Sequence, residues 1–251
     1  NCTIRKITPA GLVSTIAGLA GVGGNLDGVG ASARFTRPNG IAIDPAGNLF
    51  VADSSGQVIR KIVPDGTVTT VAGQAGISGS TNGVGSSARG AAPMNLTLDG
   101  AGNLYVAYRC NNAIRMITPA GTVSTQAGIF GTVGSVDGAR LNASFRAPQG
   151  VAVDGAGNLF IADTGNSTIR RMLVQGDGLA TTLSGTPIGT GTVDATGTAA
   201  RFAGPGDVAV DLNGNVYVSD GGNHTVRKIT PAGVVSTLAG QTGISGSMDG
   251  I

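Results

Sequence analysis

Residues 145–185 read FRAPQGVAVDGAGNLFIADTGNSTIRRMLVQGDGLATTLSG, and this stretch decides the fold. The full copy extends to residue 201, and near copies occupy residues 35–89, 90–144 and 202–251. The second half of the pattern alone opens the chain over residues 1–34. The period of about 55 residues falls in the range of propellers and solenoids.

Each copy divides into four short apolar runs separated by turn residues. In the first copy the runs are Gly40–Asp44, Asn48–Asp53, Val58–Val63 and Thr67–Ala72. They are rich in Val, Ile, Thr and aromatic residues, which favours strands, and Gly-containing separators favour tight hairpins. No 3.6-residue periodicity supports a helical solenoid, and the coils of a β-helix would be shorter. Four antiparallel strands repeated radially predict an all-β fold, a β-propeller with four-stranded blades.

Composition agrees with this class and limits others. The 251 residues include 44 Gly, one His, no Trp and no Glu, and 12% of them are charged. The net charge is +2 and the Arg residues are spread over the repeats, so no nucleic-acid partner is expected. No apolar run approaches the roughly 18 residues of a membrane span. Cys2 and Cys110 stand at different places in different repeats, which leaves their pairing open.

The recurring string resembles the NHL repeat family. In the first copy it reads PNGIAIDPAGNLFVADSSGQVIRKI over residues 38–62. The resemblance covers essentially the whole chain and implies a β-propeller, most often six-bladed. The loops that contain Asp27-Gly28 and Asp137-Gly138 are similar to a longer NHL variant of bacterial surface proteins and the teneurin propeller. That resemblance implies an extracellular or cell-surface setting, in a bacterium.

The repeat boundaries predict one propeller domain over residues 1–251. Its parts are a half blade, 1–34, and the blades 35–89, 90–144, 145–201 and 202–251. The half blade supplies two strands without their partners, so we expect a segment of a longer chain that forms a five- or six-bladed ring. The alternative is self-association, in which another copy covers the open half blade.

Charged residues recur at fixed places, and two interpretations exist for them. Asp begins the first hairpin turn, Asp ends three of the second strands, and Arg lies early in every third strand; the first copy shows them as Asp44, Asp53 and Arg60. They could form a ring of metal or ligand contacts. Because a feature repeated in every blade is more often architecture, we expect Asp to cap turn amides and pair with Arg.

The long loops carry a second acidic motif. An aspartate recurs at Asp27, Asp137, Asp194 and Asp249, followed by Gly except at Asp194, and it suggests calcium, yet each loop lacks further acidic ligands. We therefore expect ordered loops in which Asp binds its own amides and Arg34, Arg89 and Arg201 assist, without metal or cofactor. The loops Leu19–Arg34, Gln74–Arg89, Ile129–Ser144 and Thr186–Arg201 vary, whereas the turns opposite them are nearly identical. Variable loops on a rigid scaffold predict a binding face.

Breaks in the repeat suggest contact residues. In the second copy Gly90 replaces a Phe, Asn95 a Gly, Thr97 an Ala, and Tyr108-Arg109-Cys110 the usual Asp-x-x. In the fourth copy Asp207 takes the Gly position, near Asp220 and His224. Drift among copies is the alternative explanation. The candidate ligand-binding residues are Asn95, Tyr108, Arg109, Asp207, Asp220 and His224.

The expected function is a non-enzymatic binding or structural module that contacts a protein or a glycan through the long-loop face. Related propeller enzymes imply two alternatives. Amidating lyases hold zinc with several His and use a Tyr, and lactonase-like propellers rely on Glu, whereas this chain has one His and no Glu. A bound catalytic metal would revive a hydrolase or lyase. RNA binding, as in tripartite-motif proteins, would need a basic face.

Overall fold

The computed structural model describes residues 1–247 and is all-β, with the β-propeller fold that the repeats predict. It divides into two compact units, Asn1–Gln126 and Ala127–Ile251. The predicted motif at Asp249 and the end of the fourth copy lie outside the described residues. No helix among residues 1–247 has the length and hydrophobicity to cross a bilayer.

The first unit contains a half blade and two blades. Its strands, in chain order, are β1 (Thr3–Ile7), β2 (Val13–Gly18), β3 (Gly28–Val29), β4 (Pro38–Ile43), β5 (Leu49–Asp53), β6 (Val58–Ile62), β7 (Thr67–Ala72), β8 (Gly83–Val84), β9 (Pro93–Leu98), β10 (Leu104–Tyr108), β11 (Ala113–Ile117) and β12 (Thr122–Ala127). Single 3-10 turns lie at Gly30–Ser32, Gly85–Ser87 and Arg109–Asn111.

The second unit contains two blades. Its strands are β13 (Gly138–Ala139), β14 (Val151–Val153), β15 (Asn158–Asp163), β16 (Thr168–Leu173), β17 (Leu179–Ser184), β18 (Pro205–Val210), β19 (Val216–Asp220), β20 (Thr225–Ile229) and β21 (Val235–Ala239). Its 3-10 turns lie at Arg140–Asn142, Thr164–Asn166, Gly197–Ala199 and Gly221–Asn223.

Strand pairing confirms the predicted meander and adds one strand to most blades. The sheets have the orders β1-β2, β3-β7-β6-β5-β4, β8-β12-β11-β10-β9, β13-β17-β16-β15-β14 and β18-β19-β20-β21. The two-residue strands β3, β8 and β13 come from the preceding long loop. In the fourth blade a single bridge between Thr196 and Val234 takes the same place. Each of these short strands pairs with part of the fourth strand of its blade, and the single bridge lies next to the start of that strand, so both cover an edge that would otherwise stay open.

The second strands of the second and third blades, β10 and β15, are buried almost throughout because both faces of the sheet are covered. Within the first unit, Val51 of β5 packs with Ile4 and Phe35, while Ala52 packs with Val106 of β10. Within the second unit, Phe160 of β15 contributes to a cluster with residues of β18 to β21. Such strands read as continuous apolar runs rather than alternating ones.

The first hairpin turns confirm the predicted role of the recurring Asp44. Its Oδ1 accepts the backbone N–H of Asn48 at 2.8 Å, and its Oδ2 accepts the Asn48 side-chain amide at 2.7 Å. These hydrogen bonds hold the pKa of Asp44 below its usual value. The same pair of contacts recurs at Asp99, Asp154 and Asp211.

Candidate functional site

A fully buried arginine holds each long loop against its blade. In the first blade Arg60 Nη2 donates to the carbonyl of Leu26 at 2.7 Å, and Nη1 donates to the carbonyl of Arg34 at 2.9 Å. Arg115, Arg170 and Arg227 make the same contacts with the pairs Thr81 and Arg89, Val136 and Ser144, and Val193 and Arg201. We call each arginine with its two carbonyls a loop anchor. It satisfies loop carbonyls with charge-assisted hydrogen bonds.

Three aspartates of the long loops also contact the anchor arginines. Asp27 Oδ1 lies 2.8 Å from Arg60 Nη2, and its Oδ2 accepts the backbone N–H of Thr70 at 3.0 Å. Asp137 and Asp194 repeat this arrangement with Arg170 and Thr182, and with Arg227 and Thr237. The predicted binding of Asp to its own loop amides is therefore wrong. The carboxylate instead accepts from the fourth strand of its blade, next to a register shift in the pairing of that strand with the third strand.

Another predicted loop contact is confirmed. Arg34 donates to the carbonyls of Ala31 and Ala33, within its own loop. Arg89 and Arg201 do the same in theirs. Each long loop is thus tied both to itself and to the blade.

Aromatic rings complete the anchors. The guanidinium carbon of Arg60 lies 5.0 Å from the ring centre of Phe35, and Arg170 and Arg227 lie at the same distance from Phe145 and Phe202. A guanidinium over an aromatic face is a favourable cation–π arrangement. Burial of each arginine is therefore compensated by oxygen atoms at its end and by a ring at its face.

A second, inner carboxylate joins two of the anchors. Asp163 is fully buried and accepts the Arg146 N–H at 2.7 Å, the Asn166 amide at 2.7 Å and Arg170 Nη1 at 3.2 Å. Burial raises its pKa to about 6, although these hydrogen bonds act in the opposite direction. Asp220 has equivalent partners at Ala203, Asn223 and Arg227. The structure therefore gives Asp220 an anchoring role.

Tyr108, predicted as a contact residue, lies in the core of the second blade. It is only 2% exposed, and its ring occupies the space beside Gly90, where a Cβ would overlap it. The Arg115 guanidinium carbon lies 5.3 Å from this ring. Burial raises the Tyr108 pKa to about 12, so the phenol stays neutral. In the other three copies the position of Tyr108 holds Asp, and a Phe at the position of Gly90 supplies the ring. In the second copy Tyr108 supplies that ring instead.

Asn95 and Asp207 occupy equivalent positions on the first strands of two blades. A Cβ added to Gly40 would lie 2.6 Å from the Asn95 Cα, and one added to Gly150 would lie 2.6 Å from the Asp207 Cα. Each side chain also accepts the N–H of the following residue, at 2.7 Å and 2.8 Å. A glycine in one blade therefore makes room for the polar residue of the next.

Arg109 and His224 are exposed, and both belong to turns between the second and third strands. His224 has a left-handed backbone with φ of 57°. With Ser219 and Asp220 it lines an open depression of about 310 Å³ on the fourth blade. Ser219 Oγ accepts the Asp207 N–H at 2.8 Å, so one blade brings together the three residues predicted there.

Metal ligands do not converge in the described part of the protein. Among residues 1–247 no three His, Cys, Asp or Glu side chains form a cluster that could hold an ion. Cys2 and Cys110 are both free thiols, and Cys110 is exposed.

Sequence reasoning missed the apolar side chains that the anchors present to solvent. Leu26, Val136 and Val193 each precede the loop aspartate, and each offers its carbonyl to a buried arginine. Their side chains are 61%, 61% and 52% exposed. The available signal was an aliphatic residue directly before the loop aspartate in three of the four described loops, with Thr81 before Asn82 in the other.

Comparison with known proteins places the chain among relatives of the same repeat. The NHL repeat profile matches residues 35–61, 145–172 and 202–229. NHL repeat-containing protein 2 of Homo sapiens is 31% identical over 153 residues, which are 56% of this chain and 21% of that protein. The match thus spans about a fifth of that relative.

Solved structures agree on the fold. An auxiliary nutrient binding protein from Bacteroides thetaiotaomicron aligns with a TM-score of 0.66 and 16% identity, over 93% of this chain and 52% of that one. An inactive variant of virginiamycin B lyase from Staphylococcus aureus aligns with a TM-score of 0.59 and 19% identity, over 94% of this chain and 62% of that one. At such identities the likeness shows the fold alone. The chain carries three NHL repeats and has the β-propeller fold.

Proposed function

We propose that this chain is a non-enzymatic binding module, in an extracellular or cell-surface protein, which contacts a protein partner through its long loops. One observation carries the proposal. Leu26, Val136 and Val193 are more than half exposed, although their backbone is fixed by a buried arginine. Exposed aliphatic groups carry a solvation penalty without contributing to the blade, and contact with a partner would remove that penalty.

The anchors also reduce the cost of binding. A mobile loop loses conformational entropy when a partner orders it, and this loss subtracts from affinity. Here hydrogen bonds of the loop carbonyls and loop carboxylates, and the pairing of short loop strands such as β3 with the blade, already hold the loops in one conformation. Further aliphatic side chains on the same loops, among them Val29, Val84 and Ile188, enlarge the apolar area that a partner could cover.

The chemistry of the loops favours a protein over the other partners. Glycan sites depend on aromatic stacking and polar side chains, whereas the exposed large hydrophobic residues of these loops are aliphatic Leu, Val and Ile. RNA binding depends on accessible cations, yet four of the 13 arginines are buried in the anchors. A propeller hydrolase or lyase would need converging catalytic groups, and His224 is the sole histidine of the sequence.

A triple variant tests the proposal. Leu26→Gln, Val136→Gln and Val193→Gln together remove the three apolar tips but keep the backbone carbonyls that the anchors use. The matched control is Leu12→Gln with Leu212→Gln, since these two leucines are also exposed but lie on tight turns. All proteins are checked for folding by circular dichroism. Each is then immobilised and exposed to secreted and envelope fractions of the source organism.

We expect the wild type and the control to retain the same protein, and the triple variant to lose it. Equal retention by the triple variant would show that the tips are not the contact. Retention of glycans or RNA in place of a protein would replace the proposal with one of the other binding classes. Turnover of a lactone library by the wild type would favour the enzymatic class.

A further inference from the structure

Asn82 stands where the other long loops have an aspartate. Asp27, Asp137 and Asp194 each accept two kinds of hydrogen bond. One comes from the anchor arginine and the other from a threonine backbone N–H on the fourth strand of the blade. The position therefore uses two acceptor oxygens. In the second blade an amide has to fill it.

The Asn82 amide provides only one of the two acceptor oxygens that this position uses. Asn82 Oδ1 accepts from Arg115 Nη2 at 2.8 Å and from the Thr125 hydroxyl at 3.2 Å, as the aspartates accept from their own partners. The other polar atom of the side group is the nitrogen of an NH₂ group. It cannot accept the Thr125 backbone N–H, which corresponds to the N–H groups of Thr70, Thr182 and Thr237. A carboxylate at position 82 would supply the missing acceptor and the charge.

The surroundings of Asn82 also favour deamidation of its side chain. The following residue, Gly83, has no side group to shield the backbone nitrogen, and a Cβ there would lie 3.2 Å from the Ser87 carbonyl carbon. Asn82 is exposed, so water reaches it. The strand β8 that follows has only two residues at a sheet edge, so it opens more readily than the longer strands of the blade. The Arg115 guanidinium on Oδ1 polarises the amide carbonyl towards attack.

We propose that Asn82 is a site of spontaneous deamidation to aspartate, and that the product completes the loop anchor of the second blade. The Gly83 nitrogen gives its proton to base and bonds to Cγ of Asn82, and the bond between Cγ and Nδ2 breaks. Ammonia leaves with a proton from water. A second water then adds at Cγ and breaks the new bond to the Gly83 nitrogen. That nitrogen regains its proton, and a carboxylate remains at position 82.

Two other Asn-Gly pairs provide internal comparisons. The Gly214 N–H donates to the Asp211 carbonyl at 3.0 Å, which keeps this nitrogen engaged in its turn. Gly40 packs against the backbone of the next blade, and Asn39 is held by a contact to Met94 Sδ at 3.4 Å. Gly83 instead pairs with Val123 through the two-residue strand β8, so opening of one short strand releases its nitrogen. In an unfolded chain these differences disappear.

The test is ageing of the purified protein in mildly alkaline buffer, followed by peptide mapping with mass spectrometry. We expect Asn82 to convert several-fold faster than Asn39 and Asn213 in the folded protein, with aspartate exceeding isoaspartate. In urea we expect the three sites to convert at similar rates. Conversion of Asn82 no faster than its comparisons in the folded protein, or a predominance of isoaspartate, would overturn the proposal.

The product can be made directly as Asn82→Asp, with Asn213→Asp as the control at a position without an anchor. We expect Asn82→Asp to raise the melting temperature by roughly 2 °C and Asn213→Asp to leave it unchanged. The aged protein should match Asn82→Asp in ion-exchange retention. A melting temperature below that of the wild type would show that the position does not favour a carboxylate, and the proposal would fail.

Discussion

The second and third blades build the same loop anchor from different residues. In the third blade Arg170 contacts the carboxylates of Asp137 and Asp163 and lies over the ring of Phe145. In the second blade the corresponding partners of Arg115 are the amide of Asn82 and the phenol ring of Tyr108. Both arginines keep their contacts to the two loop carbonyls.

The difference separates what the anchor requires from what it tolerates. In all four blades a guanidinium donates to two loop carbonyls and lies over one aromatic ring. Carboxylates vary in number and place. The NHL profile matches the first, third and fourth copies, and the second copy is the one that departs from this charge pattern. The hydrogen bonds from arginine to the loop carbonyls are thus common to all four anchors, whereas the number of carboxylates beside the arginine differs between blades.

Removal of Arg170 should have the largest effect. Arg170→Met leaves the buried Asp163 without its cation and two loop carbonyls without their donor. Breaking a buried pair by removing one partner costs about 3–5 kcal/mol. Urea unfolding monitored by circular dichroism should show a loss of this size in the free energy of unfolding.

The neighbouring Arg171 is exposed and provides the control. Arg171→Met should change the free energy of unfolding by less than about 0.5 kcal/mol. If Arg170→Met cost as little as this control, the buried arginine would not be what holds the loop.

The exchange of Gly90 and Tyr108 should show strong coupling. Gly90→Phe forces a second ring into the space of Tyr108, and Tyr108→Asp empties that space. Each single change should cost about 3 kcal/mol. The double variant restores the Phe and Asp pattern of the third blade, so it should recover about half of the summed loss. Urea unfolding of the four proteins gives the coupling energy, which we expect to reach about 3 kcal/mol.

Gly100→Phe and Tyr217→Asp, which lie on different blades, serve as the reference cycle, because Gly100 faces open space and Tyr217 donates its hydroxyl to Asp211 of its own blade. Their effects should add. Additive effects at Gly90 and Tyr108 as well would contradict the view that one ring has replaced the other.

Most of the fold could be predicted because it repeats. The predicted run Thr67–Ala72 coincides with β7, and Val58–Val63 exceeds β6 by one residue. The predicted first strand Gly40–Asp44 begins too late, since pairing of Pro38 with Asp53 extends β4 towards the N-terminus. The two-residue strands β3, β8 and β13 could not be predicted. Their Gly-Val or Gly-Ala sequences carry no pattern, and their partners lie some 40 residues away.

The candidate site was harder to predict because its residues act through space. Gly90 and Tyr108 were both recognised as departures, yet only the structure shows that one ring serves both positions. Asp220 looked like a ligand because the sequence does not reveal that it is buried with Arg227. Arg109 and His224 do lie at the surface, and their contact role stays a prediction.

The smallest expected effect concerns pH. The pKa of Asp163 is about 6 in the folded protein and near 3.8 in an unfolded chain. Between these values the folded state binds more protons than the unfolded state, so stability should fall as pH rises from about 4 to about 6. The lowered pKa values of Asp44, Asp99 and Asp211 act below that window and with the opposite sign. Tyr108, in the equivalent place of the second blade, stays neutral throughout.

Asp163→Asn isolates this contribution. The wild type should lose about 1–2 kcal/mol of unfolding free energy across the window, and the variant should not. Urea midpoints measured at about pH 4, 5, 6 and 7 provide the comparison. Equal slopes for the two proteins would mean that Asp163 is already ionised at the start of the window. The ion pair with Arg170 would then outweigh burial, and the third blade would owe more of its anchor to charge than the second blade does.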